Sequence, residues 1–191
     1  MEAVAEVTSS RGYVAMSVED ICQAASLSRR TFYEQFANKE EAFLAAYDAI
    51  ATQALTQVGE AYNGADVLVD RIRFALAAFL NFLTSHPAFA SMCIVEVLAA
   101  GQQALERRAT AMRGFTEFIV RAVEEGLPES RRPPELVAET IVGGIYEVIY
   151  ARVQRGRTAE LPDLLPELLY AILVPYLGAD IARRELQKIQ G

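Results

Sequence analysis

The sequence predicts an all-α fold: a small head of short helices joined by a long connector to a larger helical body. Three observations predict it. Apolar residues recur at three- and four-residue spacing along most of the chain, the period of helices with one buried face. Ser17, Ser28 and Asn38 are cap residues set just ahead of three such stretches. Pro and Gly fall at the breaks between the later stretches, at Gly64, Pro87, Gly126-Leu127-Pro128, Pro133-Pro134, Gly156 and Gly178. With 191 residues, 52% of them hydrophobic, there is ample material for one large or two small packed domains.

Residues 1–10, MEAVAEVTSS, carry Met1, Val4 and Val7 at helical spacing and read as a first helix, ended by Gly12 and Tyr13. Ser17 caps a second, with Asp20 at the capping-box position, and Val18, Ile21, Cys22 and Ala25 share its apolar face. Ser26-Leu27 leaves room only for a tight turn. Ser28 caps a third helix, Arg29 to Phe36, in which Phe32 and Phe36 point into the core and Arg29, Arg30, Thr31 and Tyr33 are left toward water. Two arginines, a hydroxyl and a phenol in the first turns of an exposed helix have the chemistry of a nucleic-acid reader. Arginine bonds guanine edges, hydroxyls bond phosphate, and the helix N-terminus is itself positive. A helix, a tight turn and a second helix of this kind form helix-turn-helix geometry. The competing reading is plain helical packing, since capped short helices with buried Phe occur in many helical proteins.

The run SVEDICQAASLSRRTFYEQFANKEEAF resembles the DNA-binding signature of TetR-type transcriptional repressors, the likeness carried by Ile21, Ala25, Leu27, Ser28, Thr31, Tyr33, Phe36, Lys39 and Phe43. Ser26 stands where the family usually has Gly, so a left-handed turn there would be strained; Arg30 stands where a small residue is common. The resemblance implies a ligand-responsive regulator, in the first instance a repressor, whose dimer places two reading helices on a palindromic operator in double-stranded DNA. The DNA-binding role is assigned to Ser17, Ser28, Arg29, Arg30, Thr31, Tyr33 and Lys39, with Thr31, Tyr33 and Lys39 on phosphates and the two arginines on base edges, or either one of them turned to the backbone. The resemblance also implies further residues, often basic, ahead of residue 1 in the first helix, so the chain is expected to begin inside that helix. The DNA-binding head is assigned to residues 1–47 and the effector-binding and dimerisation domain to 48–191.

Asn38 caps the connector, with Glu41 at the box position, and the apolar period Phe43, Leu44, Tyr47, Ile50, Ala51, Ala54, Leu55, Val58 runs to about Ala61. Composition changes at 61–65, where basic residues thin out. The body then reads as helices over Asp66–Ser85, Pro87–Ala100, Gln102 to about Glu125, Pro133 to Gln154, Asp163 to about Leu177, and a polar terminal helix over Ala179–Gln190. His86-Pro87 is a corner. Gly143-Gly144 in mid-helix costs on the order of 1 kcal/mol each relative to Ala, a loss that close approach of another helix or room for a ligand would offset. The helix expected from Asp163 is apolar nearly all round and must be buried on two sides. One is its own domain; the other is expected to be a second copy of the chain. The dimer interface is assigned to Ile141, Ile145, Val148, Leu165, Leu168, Leu169, Ile172 and Tyr176, which agrees with the four-helix dimer contact that the resemblance implies.

A cavity for a small, hydrophobic effector is likewise implied by the resemblance. Its candidate walls are Phe74, Phe79, Phe82, Phe89, Met92, Glu96, Phe115, Phe118, Tyr146 and Tyr150. Glu96 and Glu147 are charges inside apolar stretches; they either orient a ligand or reach water, Arg73 or Arg113.

The formal net charge of −7 argues against non-specific coating of nucleic acid, while Arg29, Arg30 and Lys39 against Glu34 alone concentrate positive charge on one patch. One His and two distant Cys cannot make a usual zinc site, and no Gly-rich phosphate loop or G-x-S-x-G is present. A metal- or nucleotide-dependent enzyme is therefore rejected and no cofactor is expected. No apolar run reaches the roughly 18 residues of a membrane span, and the N-terminus has no export pattern. With both Cys on apolar helix faces, a cytoplasmic protein is expected. The alternative function is a helical dimer that binds a small molecule or a partner protein and has no DNA role, which the acidic charge also fits.

Overall fold

Four helices form the head and connector for local reasons. The computed structural model describes residues 1–190. Helix α1 (Glu2–Arg11) stops at Gly12, whose φ of 76° turns the chain out of the helix. Helix α2 (Val18–Ala24) starts in a complete capping box between Ser17 and Asp20. Helix α3 (Arg29–Gln35) starts at Ser28, whose hydroxyl accepts the Thr31 N–H at 3.0 Å; Phe36 is its cap rather than its last turn. Helix α4 (Lys39–Asn63) starts at Asn38, which accepts the Glu41 N–H at 2.9 Å, and runs to Gly64. The α2–α3 turn passes through Ser26 at φ 54°, the one non-glycine residue with positive φ among those described.

The body follows as α5 (Leu68–Ser85), α6 (Pro87–Ala90), α7 (Gln102–Gly126), α8 (Leu136–Val153), α9 (Leu165–Leu177) and α10 (Ala179–Gln190). The expected helix Pro87–Ala100 is not continuous. After α6 the chain forms a π turn, Ser91–Val95, and a 3-10 turn, Glu96–Ala99. Tertiary bonds pin this segment: the Tyr146 hydroxyl donates to the Ile94 carbonyl at 2.6 Å, and the Glu96 carboxylate accepts the Tyr13 N–H at 2.7 Å. Helix α8 begins at Leu136 rather than Pro133, because the residue before a proline is driven out of the helical region; Arg132 is extended. Helix α9 begins at Leu165 rather than Asp163. A 3-10 turn over Thr158–Leu164 accommodates Pro162, and Pro166 falls in the first turn of α9, where its missing N–H is harmless.

One apolar core runs from head to body without a seam. Val4, Ala5, Met16, Ile21, Phe32 and Phe43 belong to the same cluster as Tyr47, Leu80, Met92, Leu169 and Leu173, and α4 carries it across residues 47–48 unbroken. Among the described residues no single helix is long and apolar enough to cross a membrane.

Helix α9 corrects the expected interface. Leu168, Leu169, Ile172 and Tyr176 are buried within their own subunit, so they have no surface left to offer a second copy. The exposed line of α9 is Glu167, Ala171 and Pro175, and that of α8 is Leu136, Thr140, Gly144 and Glu147. Ile141, Ile145, Val148 and Leu165 are half-buried beside these lines. A Cβ placed on Gly143 or Gly144 would meet nothing within 4 Å, so neither glycine serves close packing inside the subunit.

Candidate functional site

The helix-turn-helix presents one continuous wet flank. Phe32 is 3% exposed and packs on Phe36 with ring centroids 5.5 Å apart, which fixes the rotation of α3. Tyr33 on the other flank is 49% exposed, and its ring meets the edge of Phe32 at 5.4 Å. Arg29 and Arg30 are exposed beside it. Each holds a surface ion pair, Arg29 with Glu19 at 3.5 Å and Arg30 with Glu34 at 3.1 Å, the kind of pair that contributes little and exchanges readily. Thr31 lies half-buried with its hydroxyl 2.9 Å from that of Ser28. The Ser17 hydroxyl is engaged with Asp20, whose carboxyl is held below the usual carboxylate range by its bonds to Ser17 and, less strongly, by Arg11.

Lys39 departs from its expected role. Its ammonium group donates to the carbonyls of Tyr13 at 3.0 Å, Val14 at 3.1 Å and Met16 at 2.9 Å, and lies 4.8 Å from the centre of the Tyr13 ring. An ammonium has three protons, and all three are engaged within the chain. Lys39 therefore clamps the loop between α1 and α2 instead of facing a phosphate.

The body contains an apolar cavity between α4, α5, α7, α8 and α9. About 140 Å³ of it is open to the centre of a water molecule, and the empty space reaches about 1200 Å³ once its open mouth is counted. Of the expected walls, Phe79, Phe82, Phe115, Phe118 and Tyr146 line it. The other five do not. Phe74 is 41% exposed under Arg73, Phe89 is stacked on His86, and Met92 is fully buried in the core. Glu96 bonds the head, and Tyr150 stacks on Tyr146 and accepts from Gln154 at the surface. Glu147 is exposed, and Arg73 and Arg113 bond Asp70 and Thr110, so neither arginine meets Glu96 or Glu147.

Sequence reasoning missed the walls contributed by the connector and, apart from Phe115 and Phe118, those contributed by α7. Tyr47, Ile50, Ala51, Ala54 and Val58 line the cavity from α4, along a twelve-residue stretch that rises roughly 16 Å. Arg108, Ala111, Met112, Phe115, Phe118, Ile119 and Val123 line it from α7. The signal was available in the wide apolar stripe of α4, which exceeds what one packed neighbour can cover. Burial pushes the Tyr47 and Tyr146 phenols above the usual tyrosine range and the Cys93 thiol up to about 12. Among the described residues no group of three His, Cys, Asp or Glu side chains is placed to hold a metal ion.

Residues 1–46 match the family model described as bacterial regulatory proteins, tetR family. The whole chain is similar in fold to solved structures. One is the fatty acid degradation regulator FadR from Bacillus halodurans, at 18% identity and TM-score 0.80, covering 90% of this chain and 91% of that one. Another is the transcriptional regulator FadR from Bacillus subtilis in complex with stearoyl-CoA, at 16% identity and TM-score 0.78, covering 93% and 96%. A third is the TetR family transcriptional regulator PfmR from Thermus thermophilus, at 16% identity and TM-score 0.65, covering 93% of each chain. No curated protein matches the sequence. The helix-turn-helix head and the helical body together have the TetR-type fold.

Proposed function

We infer that the chain is a ligand-responsive, DNA-binding transcriptional regulator of the TetR type, acting as a homodimer in the cytoplasm and releasing its operator when an effector binds; it is a repressor and not an enzyme. The observation that carries the reading is the flank of α3: Arg29, Arg30 and Tyr33 face solvent while Phe32 anchors the helix from behind, inside a stretch that matches the family. In this reading residues 1–47 are the head. The arginines leave Glu19 and Glu34 for base edges, and Tyr33, Thr31 and the first N–H groups of α3 hold phosphates. Ser17 and Ser28 act by capping the two helices. Two heads enter successive major grooves about 34 Å apart on a palindrome.

The effector carries a long apolar chain. The cavity has aliphatic and aromatic walls, and a solved structure of similar fold holds stearoyl-CoA. The dimer forms across α8 and α9 through the exposed Gly144 and Ala171 and the half-buried Ile141, Val148 and Leu165 beside them.

The test is selection of bound duplexes from a random DNA pool, followed by band-shift titration. Arg29→Ala or Tyr33→Ala is expected to weaken binding roughly ten-fold or more with the dimer intact. Undiminished binding by both variants overturns the assignment of the reading face, and no duplex retained at low salt overturns the DNA role.

A further inference from the structure

Of the residues that line the cavity, Arg108 alone carries a charge. Its neighbour Arg107 pairs with Asp48 on α4 at 3.3 Å, but among the described residues no carboxylate comes within ion-pair distance of Arg108. Its Nε is buried and has no hydrogen-bond acceptor. A buried guanidinium N–H left unmatched in apolar surroundings is costly, and of the two such groups, Arg73 Nε and Arg108 Nε, only that of Arg108 belongs to a cavity wall. The guanidinium is also held in place: it lies 4.0 Å from the centre of the Tyr146 ring, whose hydroxyl is fixed on the Ile94 carbonyl.

We propose that Arg108 is the head-group site of the cavity and takes the anionic head, a carboxylate or phosphate oxygen, of an amphipathic ligand whose chain runs along α4 from Tyr47 toward Val58 and Phe118. The proposal rests on the reading of the cavity as the effector site. Planar, fork-shaped arginine matches such oxygens in two parallel bonds, and low polarity around it strengthens each of them. A neutral head can accept one N–H but cannot balance the charge or make the paired bonds. The other polar groups at this end are Tyr47, Tyr146 and Cys93, and the charge of Arg108 acts on both phenols. Away from Arg108 the walls are Val58, Phe118, Ile119, Ala122 and Val123, with no charge to meet. The ligand therefore has one orientation, head toward the DNA-reading end and tail away from it. Its head then sits beside the π turn whose next residue, Glu96, bonds Tyr13 of the head.

Calorimetric titration of the full chain with palmitate, palmitoyl-CoA and the neutral hexadecanol tests the proposal. At least one anionic ligand is expected to bind about ten-fold or more tighter than hexadecanol. Palmitate preferred over palmitoyl-CoA assigns a free carboxylate; the reverse assigns the phosphates of the carrier. Arg108→Met is expected to erase the preference and leave hexadecanol binding unchanged, with the helical circular dichroism intact, while Arg108→Lys retains much of it. Equal binding of acid and alcohol by the unaltered chain, or a preference that survives Arg108→Met, overturns the proposal. If none of the three ligands binds while operator binding persists, the acyl reading of the cavity falls with it and the DNA role stands.

Discussion

Glu96 and Tyr13 join the two parts of the molecule: a carboxylate on the turn behind the cavity accepts, at 2.7 Å, the backbone N–H of a residue at the corner of the head. The turn on which Glu96 sits follows Cys93 and Ile94, both cavity walls. Tyr13 in turn is one of the three carbonyls held by Lys39 at the start of α4. Head and cavity are thus linked along α4, through this bond and through the packing of α1 on α6 and the π turn, and a ligand can alter the head only by favouring one arrangement of these links over another.

Glu96→Ala is expected to weaken that coupling more than it weakens DNA binding. Operator affinity without effector should stay within a few-fold, while the ratio of affinities with and without effector falls by roughly five-fold, the scale of one allosteric contact. Glu96→Gln, which still offers a carbonyl oxygen to Tyr13, should retain most of the response. Anisotropy titration of the operator in both conditions reads this; an unchanged ratio in Glu96→Ala places the coupling in α4 or in the apolar packing of α1 on the body.

Lys39→Met should lower stability by about 2 kcal/mol, since three charge-assisted bonds are lost but the group is partly exposed. The salt dependence of operator binding separates this clamp from a phosphate contact. Loss of a phosphate contact lowers the log–log slope by about one per site, whereas loss of a clamp leaves it as it was.

Much of the head was legible in the sequence because its signals are local. Caps at Ser17, Ser28 and Asn38, and the pair Phe32 and Phe36, act within four residues of themselves, and each forms where it is expected. Lys39 was misread because its partners lie about 25 residues away and are backbone carbonyls, which carry no residue-type signature. The same applies to Glu96. The walls of the cavity were only half legible: periodicity says that Phe74 and Phe79 are apolar positions of one helix, but not that Phe74 turns to the surface under Arg73 while Phe79 faces Phe115 at 4.8 Å. The α9 leucines were assigned outward because nothing in their pattern shows that α5, α8 and α10 already cover them.

Ser26→Gly should stabilise the chain by about 1 kcal/mol. Ser26 holds φ 54°, where a Cβ crowds the following carbonyl, and glycine removes that crowding at some cost in unfolded-state freedom. Its neighbours' bonds, Ser26 N–H to the Gln23 carbonyl and Leu27 N–H to the Cys22 carbonyl, need no side chain. Chemical denaturation should show a higher midpoint at unchanged slope; a lower midpoint would mean that the hydroxyl contributes more than the backbone strain removes.

Stability should fall in alkali earlier than ordinary tyrosine titration would bring it down. The Cys93 thiol is pushed up to about 12 by burial, and Tyr47 and Tyr146 are raised as well. A folded-state pKa above the unfolded one means that the native chain holds the proton more tightly. The stability this contributes is complete below the unfolded value of about 8.5 and is lost as pH rises from there toward the folded value. Denaturation midpoints measured between pH 8 and 11 should decline, and Cys93→Ala should flatten the early part of that decline. The same shift makes the Cys93 thiol slow toward iodoacetamide at pH 8 until the chain is unfolded.

Gly144 separates the needs of the subunit from those of the dimer. In a lone α8, glycine is a liability of about 1 kcal/mol relative to alanine, and no atom within 4 Å of a Cβ there explains its presence. If the outer line of α8 packs closely on a second copy, the missing side chain lets two helix backbones approach. Gly144→Ala should then raise the stability of the isolated subunit and weaken the dimer slightly. Gly144→Leu should leave helical content unchanged and drive sedimentation at micromolar concentration from dimer to monomer. Because two heads must reach successive grooves together, operator affinity should fall with the dimer although residue 144 lies far along the chain from α3. A Gly144→Leu chain that remains dimeric places the partner contact elsewhere on the surface.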